Sequence, residues 1–402
     1  MLKKLSLAAL IAMGSVSFAT ATPLTDAIKN VELNGMLRVR FYNEQPDKSN
    51  QYNRWRTNAI LIFKVPVDEN IKFVMRNSVE SNVYSDEDSL EKTGTTYQVT
   101  DTNGNTHTVN TGNKNSVDTA VANNLLFLQY TNGPVNAIVG KIPVATSVTS
   151  NDPAYPGHGA GIVATYKVND NLTVGAAYVD ALKQGGGEAD GVPAVLPNDI
   201  YAATAIFNLD MVKGNVWYYH ITNAVKSLVT ASVDFQPIEN VDVHADLAVG
   251  KDDDKLTTDA ETKTYFNIAA QYAQDAFCAK LGYAKTDKDN SHVVLAVDSP
   301  VGAVITTANN YNIANKQDVS SVYGKLGYTV DAKTNVYLAA QVQNAGDDAP
   351  NKNDDLKEYT IGAKYAYNKK LGFHVYYDIA DWDDDATNED NKEFRFEAKY
   401  SF

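Results

Sequence analysis

The last nine residues alternate without a slip. Phe394, Phe396, Ala398, Tyr400 and Phe402 are apolar, and Arg395, Glu397, Lys399 and Ser401 between them are polar. Successive side chains of an extended strand point to opposite faces, so this segment has one greasy face and one wet face. The same period recurs along the chain. Val31, Leu33, Gly35, Leu37, Val39 and Phe41 oppose Glu32, Asn34, Met36, Arg38 and Arg40; Trp55, Thr57, Ala59, Leu61, Phe63 and Val65 oppose Arg54, Arg56, Asn58 and Lys64, with Ile60 and Ile62 as apolar interruptions on the polar side. Val241 to Val249 and Leu371 to Ile379 repeat the pattern, which predicts strands.

The connections between these segments alternate in length. Tight turns fall near residues 68–70, 132–134, 169–171, 209–211, 236–240, 273–275, 331–333 and 368–370. Longer polar stretches fall near residues 42–52, 82–124, 145–160, 181–199, 223–226, 251–261, 286–318, 344–356 and 381–391. Eight turns and nine loops make eighteen strands, with both chain ends on one rim. The parity of residues 212–222 and 227–235 is ambiguous, which leaves sixteen strands open. Within the longest loop, Asn103-Gly104 between threonine-rich arms signals a local hairpin.

A soluble sheet does not normally end on an unguarded apolar strand. A closed barrel in a bilayer can, because every backbone group is paired and the apolar face meets hydrocarbon. The predicted fold is therefore all-β, a transmembrane antiparallel β-barrel of 18 strands, or 16, with short periplasmic turns and long extracellular loops.

The N-terminus agrees with that address. Lys3 and Lys4, the apolar run from Leu5 to Phe18, and Ala19-Thr20-Ala21 follow the order of a secretory leader. Cleavage before Thr22 leaves one barrel over residues 22–402, with 22–30 as a lead-in. No later run reaches the roughly 20 apolar residues of a spanning helix. Removing Lys3 and Lys4 takes the formal charge from −14 to −16, which argues against nucleic-acid binding. Cys278 is the only cysteine, so no intrachain disulfide is available.

The segment TPLTDAIKNVELNGMLRVRF, residues 22–41, resembles the mature start of the Campylobacter major outer membrane porins, and the terminal Tyr400-Ser401-Phe402 is also similar. The resemblance implies a homotrimeric, eighteen-stranded porin of the bacterial outer membrane, passing small hydrophilic solutes with a preference for cations. Members of that family are associated with a divalent cation near the constriction, but no ligand set can be matched to positions in this sequence.

Candidate chemistry sits on the polar faces. All six arginines, Arg38, Arg40, Arg54, Arg56, Arg76 and Arg395, fall on strands that become neighbours only on closure, and so predict a basic wall. Their charge is permanent. The alternative role is barrel-stabilising ion pairing with Glu80, Glu32 and Glu397. Asp242 and Asp246, on the eleventh predicted strand, are expected to face the arginines as an acidic wall and set up a transverse field. The third loop, rich in proline and glycine, is the candidate for narrowing the bore, with Asp152 turned toward the arginines.

The acidic runs Asp252 to Asp254 and Asp383 to Asp385 are candidates for Ca²⁺ or Mg²⁺ bridging lipopolysaccharide, although their spacing fits solvated loop tips better. The six histidines show no paired metal spacing, and no serine or histidine motif marks an enzyme. The leading reading is passive diffusion of ions and small hydrophilic solutes, with weak cation selectivity. Two alternatives accompany it: a substrate-specific channel using the arginines as an anion track, and a porin whose long second and seventh loops also serve adhesion.

Overall fold

In the computed structural model, the described residues are 30–47, 51–85, 96–100, 106–110, 118–150, 152, 156–183, 198–255, 262–288, 294–295, 299–301, 307, 311–349, 355–383 and 389–402. The predicted leader, residues 1–21, and residues 22–29 lie outside them. The strands are β1 (Glu32–Pro46), β2 (Tyr52–Pro66), β3 (Ile71–Ser85), β4 (Thr96–Thr100), β5 (Thr106–Asn110), β6 (Asp118–Asn132) and β7 (Val135–Pro143). Then come β8 (His158–Asn169), β9 (Leu172–Lys183), β10 (Ile200–Leu209), β11 (Val212–Ile221), β12 (Val225–Ile238), β13 (Val241–Asp252) and β14 (Thr262–Gln274). The last are β15 (Phe277–Thr286), β16 (Val319–Thr329), β17 (Thr334–Ala345), β18 (Leu356–Ala366), β19 (Leu371–Trp382) and β20 (Asn391–Ser401).

Every barrel strand pairs antiparallel with its neighbours, and β1 pairs with both β2 and β20, so the 18-stranded sheet is closed. β4 and β5 form the separate hairpin expected in the longest loop. The seam is sealed by the chain end: the Gly35 amide donates to the Phe402 carbonyl at 3.0 Å and the Phe402 amide donates to the Gly35 carbonyl at 3.1 Å. A Cβ on Gly35 would lie 2.6 Å from the Phe402 ring, so glycine there lets the terminal aromatic lie across the seam.

All eight short turns close one rim. Three are tied by one side chain each: the Oδ1 atoms of Asp68, Asp331 and Asn368 accept backbone N–H bonds from the residues two and three positions on, at 2.7–2.8 Å. Such side chains mimic a backbone turn acceptor. Asn240 takes φ +66° in the turn after β12, a conformation asparagine tolerates better than most residues.

Outward side chains such as Leu247, Ile268, Leu326, Leu338 and Ile361 are exposed, as a wall immersed in lipid requires. The ambiguous parity around β11 and β12 has a physical cause. Trp217, Tyr219, Ile221 and Leu228 are apolar residues on the inner face, packed against material inside the barrel. Ile60 likewise packs inward against Met36 and Ile62. Eighteen strands stand.

The material inside the barrel comes from two loops, L3 (residues 144–157) and L7 (residues 287–318). Val148 of L3 and Val294, Val301, Ile313 and Ala314 of L7 are buried in one cluster with Tyr219, Tyr265 and Tyr323 of the inner wall. The seventh loop was expected to face outward. Its described residues instead fold inward, because its apolar positions find partners only on the inner wall and on L3.

Candidate functional site: the lined and narrowed lumen

The register brings the arginines together. Arg40 of β1 lies directly opposite Arg56 of β2, and Tyr42 lies opposite both Arg54 and Arg395. Like charges placed opposite each other are costly, and flanking strands supply the offset. Arg40 Nε lies 2.5 Å from Glu397 Oε2, Arg56 2.8 Å from Glu80, Arg54 3.4 Å from Glu44 and Arg395 2.8 Å from Glu393. The Tyr42 ring separates two guanidiniums, with Arg54 at 4.2 Å and Arg395 at 4.3 Å from its centroid, both within the range of cation–π attraction. Arg38 donates to Asn58 Oδ1, and Arg76 is buried on the same inner face.

The guanidiniums of Arg40, Arg54, Arg56 and Arg395 thus each stand beside a carboxylate on the basic wall. Two of the anticipated acids, Glu80 and Glu397, do pair with arginines, and Glu44 and Glu393 join them. Glu32 serves Lys64 and Lys72 instead, at 3.6 and 2.9 Å. Glu44 and Glu393 could have been found from sequence, because each shares strand parity with an arginine.

L3 reaches across the bore. It leaves β7, and its turn is held by the Thr146 amide donating to Thr149 Oγ1 at 2.8 Å and by Thr149 Oγ1 donating to the Val144 carbonyl at 2.5 Å. Ser147 Oγ shares hydrogen bonds with the Tyr219 hydroxyl at 2.8 Å and Thr230 Oγ1 at 2.5 Å, on β11 and β12. Farther along, Asp152 Oδ1 stands 3.9 Å from Arg38 on β1. Contacts to both of these walls carry the loop through the interior, with Asp152 facing the arginine side.

L7 lies on L3 and on the opposite wall. The Leu295 and Val301 amides donate to the Val148 and Ser147 carbonyls at 2.8 and 3.0 Å. Thr307 Oγ1 donates to Glu358 at 2.5 Å, and Gln341 Nε2 donates to the Tyr311 carbonyl at 2.9 Å. Burial, reinforced by the negative field of Glu358 and Asp378, pushes the Tyr311 hydroxyl up from its ordinary pKa. Glu358 and Asp378 are buried inner-wall carboxylates that the sequence reading did not single out.

The two residues predicted as an acidic wall have different surroundings. Asp246 is buried, accepts from Ser232 Oγ at 2.5 Å and Asn267 Nδ2 at 3.2 Å, and lies 2.8 Å from His244 Nε2. His244 Nδ1 in turn reaches Asp234 at 2.8 Å. With its oxygens committed to neighbours, Asp246 has little capacity left for a passing solute. Asp242 is exposed, two residues past Asn240 of the turn.

The acidic loop tips are also partly neutralised. Asp252 ends β13 in a buried pair with Lys263 at 2.6 Å, Asp254 lies 3.6 Å from Lys226, and Asp383 lies 2.9 Å from Lys357. Asp384 and Asp385 lie outside the described residues. Among the described residues no group of three carboxylate, histidine or cysteine side chains is placed to hold a metal ion.

A family model described as Campylobacter major outer membrane protein matches residues 1–402. A search of the curated proteins returns no match. Among solved structures, Pseudomonas aeruginosa OccK5 (OpdH) aligns at TM-score 0.70 and 13% identity, covering 93% of this chain and 98% of that one. Acinetobacter baumannii OccAB1 aligns at 0.69 and 13%, covering 93% and 97%, and P. aeruginosa OpdK, solved with vanillate, at 0.69 and 12%, covering 93% and 99%. At such identities the likeness is one of fold.

Proposed function

Because the chain belongs to the Campylobacter major outer membrane protein family and forms a channel in the outer membrane, we propose that it is a general diffusion porin with a weak preference for cations. The observation that carries this reading is L3 tied to Tyr219 through Ser147 and to Arg38 through Asp152 inside a closed barrel, which narrows the path. Solutes cross down their own gradients, and the inner wall supplies hydration and local charge. No catalytic step is assigned.

Cation preference is supported by the acidic balance of the chain and by the carboxylate beside each of Arg38, Arg40, Arg54, Arg56 and Arg395. Those partners also weigh against the arginines serving as an anion track. The family resemblance supports a homotrimer, which a mass measurement in detergent tests.

Purified protein in planar bilayers is expected to give ohmic steps, with a reversal potential of cation-selective sign in a salt gradient. Asp152→Asn is expected to move that potential modestly toward anions, since it removes one acid at the narrowing. Protein that never conducts ends the porin reading, and an anion-selective parent ends the selectivity reading.

A further inference from the structure

We infer that the turn-bearing rim of the lumen contains an anion-binding vestibule on β18–β20, which takes small solutes carrying carboxylate or phosphate oxygens. This rests on the channel reading but not on its cation preference. Lys364 of β18 lies opposite His374, which lies opposite Glu397, and Lys399 of β20 lies opposite Gly372 and, across the seam, Arg38. All share the inward parity of the arginines. The turn between β18 and β19 adds Lys369 and Lys370, and these groups line one cavity of about 380 Å³, within the usual range for small-ligand sites.

Four lysines without acids converge on this one cavity. Several lysines elsewhere have acids: Lys64 and Lys72 share Glu32, Lys263 has Asp252, and Lys357 has Asp383; Lys325, on the inner wall of β16, lies over the Tyr337 ring instead. Among the described residues, Lys364, Lys369, Lys370 and Lys399 make no ion pair. The one carboxylate lining the cavity is Glu397, already 2.5 Å from Arg40 Nε. His374 Nε2 is taken by the Tyr337 hydroxyl at 2.8 Å. Four ammonium groups thus line a space whose lining carboxylate side chain is already paired.

The space itself depends on Gly372. A Cβ there would meet only the Tyr365 carbonyl oxygen, at 3.7 Å, so a longer side chain would project into the cavity and occupy it. An ammonium is a compact charge with three donors and little demand on geometry, which suits carboxylate and phosphate alike. A cluster of them raises the local anion concentration at the mouth. Weak, shared binding also lets the solute leave. The channel as a whole can favour cations while this vestibule retains anions, because the local field and the summed charge act at different points along the path.

Oriented single channels test the idea, with succinate or inorganic phosphate added to one side at a time. Brief closures are expected at lower concentration from the turn-bearing side. The Lys364→Gln, Lys399→Gln double variant is expected to raise the half-blocking concentration about tenfold. Gly372→Leu keeps the charges, fills the cavity and should abolish the same block, while Lys167→Gln, in its own pair with Asp170 on a distant turn, should leave it unchanged. Heat-modifiable migration on gels verifies barrel closure in each variant. Conducting parent channels that neither anion blocks overturn the vestibule and leave the porin reading intact. Unchanged half-blocking concentrations in both cavity variants do the same. A parent that never conducts removes the channel reading and this one with it.

Discussion

Two stretches of the inner wall solve the same problem with different chemistry. From β20 through β1 and β2 to β3, polar inward side chains are balanced locally: arginine against glutamate, with Tyr42 between guanidiniums. From β11 to β16 the wall presents Tyr219, Leu228, Tyr265 and Tyr323, which are covered by Val148, Val301 and Ile313 of the two inward loops. One stretch is ionic; the other is covered by apolar packing. A barrel this wide is not filled by its own wall side chains, so the loop package on one side decides where the path runs.

The strongest way to break that contrast is to charge the apolar stretch. Val148→Asp places a carboxylate in a fully buried site, at a cost on the order of several kcal/mol. L3 and L7 are expected to leave the wall, giving larger conductance steps while the barrel, whose strands pair independently of the loops, stays closed. Unchanged steps would show that the package does not set the bore.

The ionic stretch is probed by removing its acids. Glu80→Gln and Glu397→Gln each leave a guanidinium without that partner, at a stability cost of about 1–3 kcal/mol, and should shift the reversal potential toward anions. Arg56→Gln should shift it the other way. Equal, same-sign shifts from both classes of variant would contradict local balancing.

The smallest expected effect lies outside both stretches. The Lys333 amide, helped by the Thr334 hydroxyl, holds the Asp331 carboxyl below its ordinary pKa. A depressed carboxylate contributes stability above its unfolded-state pKa and loses it as pH falls through the folded value. Asp331→Ala should therefore unfold slightly more easily near neutral pH, with the difference vanishing in strong acid. Urea titrations across that range measure it.

Much of the wall was legible because its alternation is local. Phe394 to Phe402, the paired arginines at 38/40 and 54/56, and turn residues such as Asp68 and Asn368 each reveal their face or bend within a few positions. Asp152 facing Arg38 was also accessible, since a loop rich in proline and glycine leaving β7 has few places to go. Asp246 was legible only in part: its inward parity and its same-strand neighbour His244 follow from the sequence, but Ser232 and Asn267 reach it only through register with β12 and β14. L7 misled, because Val294, Val301 and Ile313 carry no period that distinguishes an inward loop from an outward one.

What the chain determined by itself is the sheet: period two, turn chemistry and an aromatic end suffice, because backbone pairing and the face a residue takes depend on its immediate neighbours. What only the tertiary structure decided is the interior, namely which acid meets which arginine, which stretch of the wall L3 and L7 cover, and which lysines are left around Gly372. Those outcomes depend on contacts between residues as far apart as Arg40 and Glu397, and such contacts exist only after closure has brought the two ends of the chain side by side.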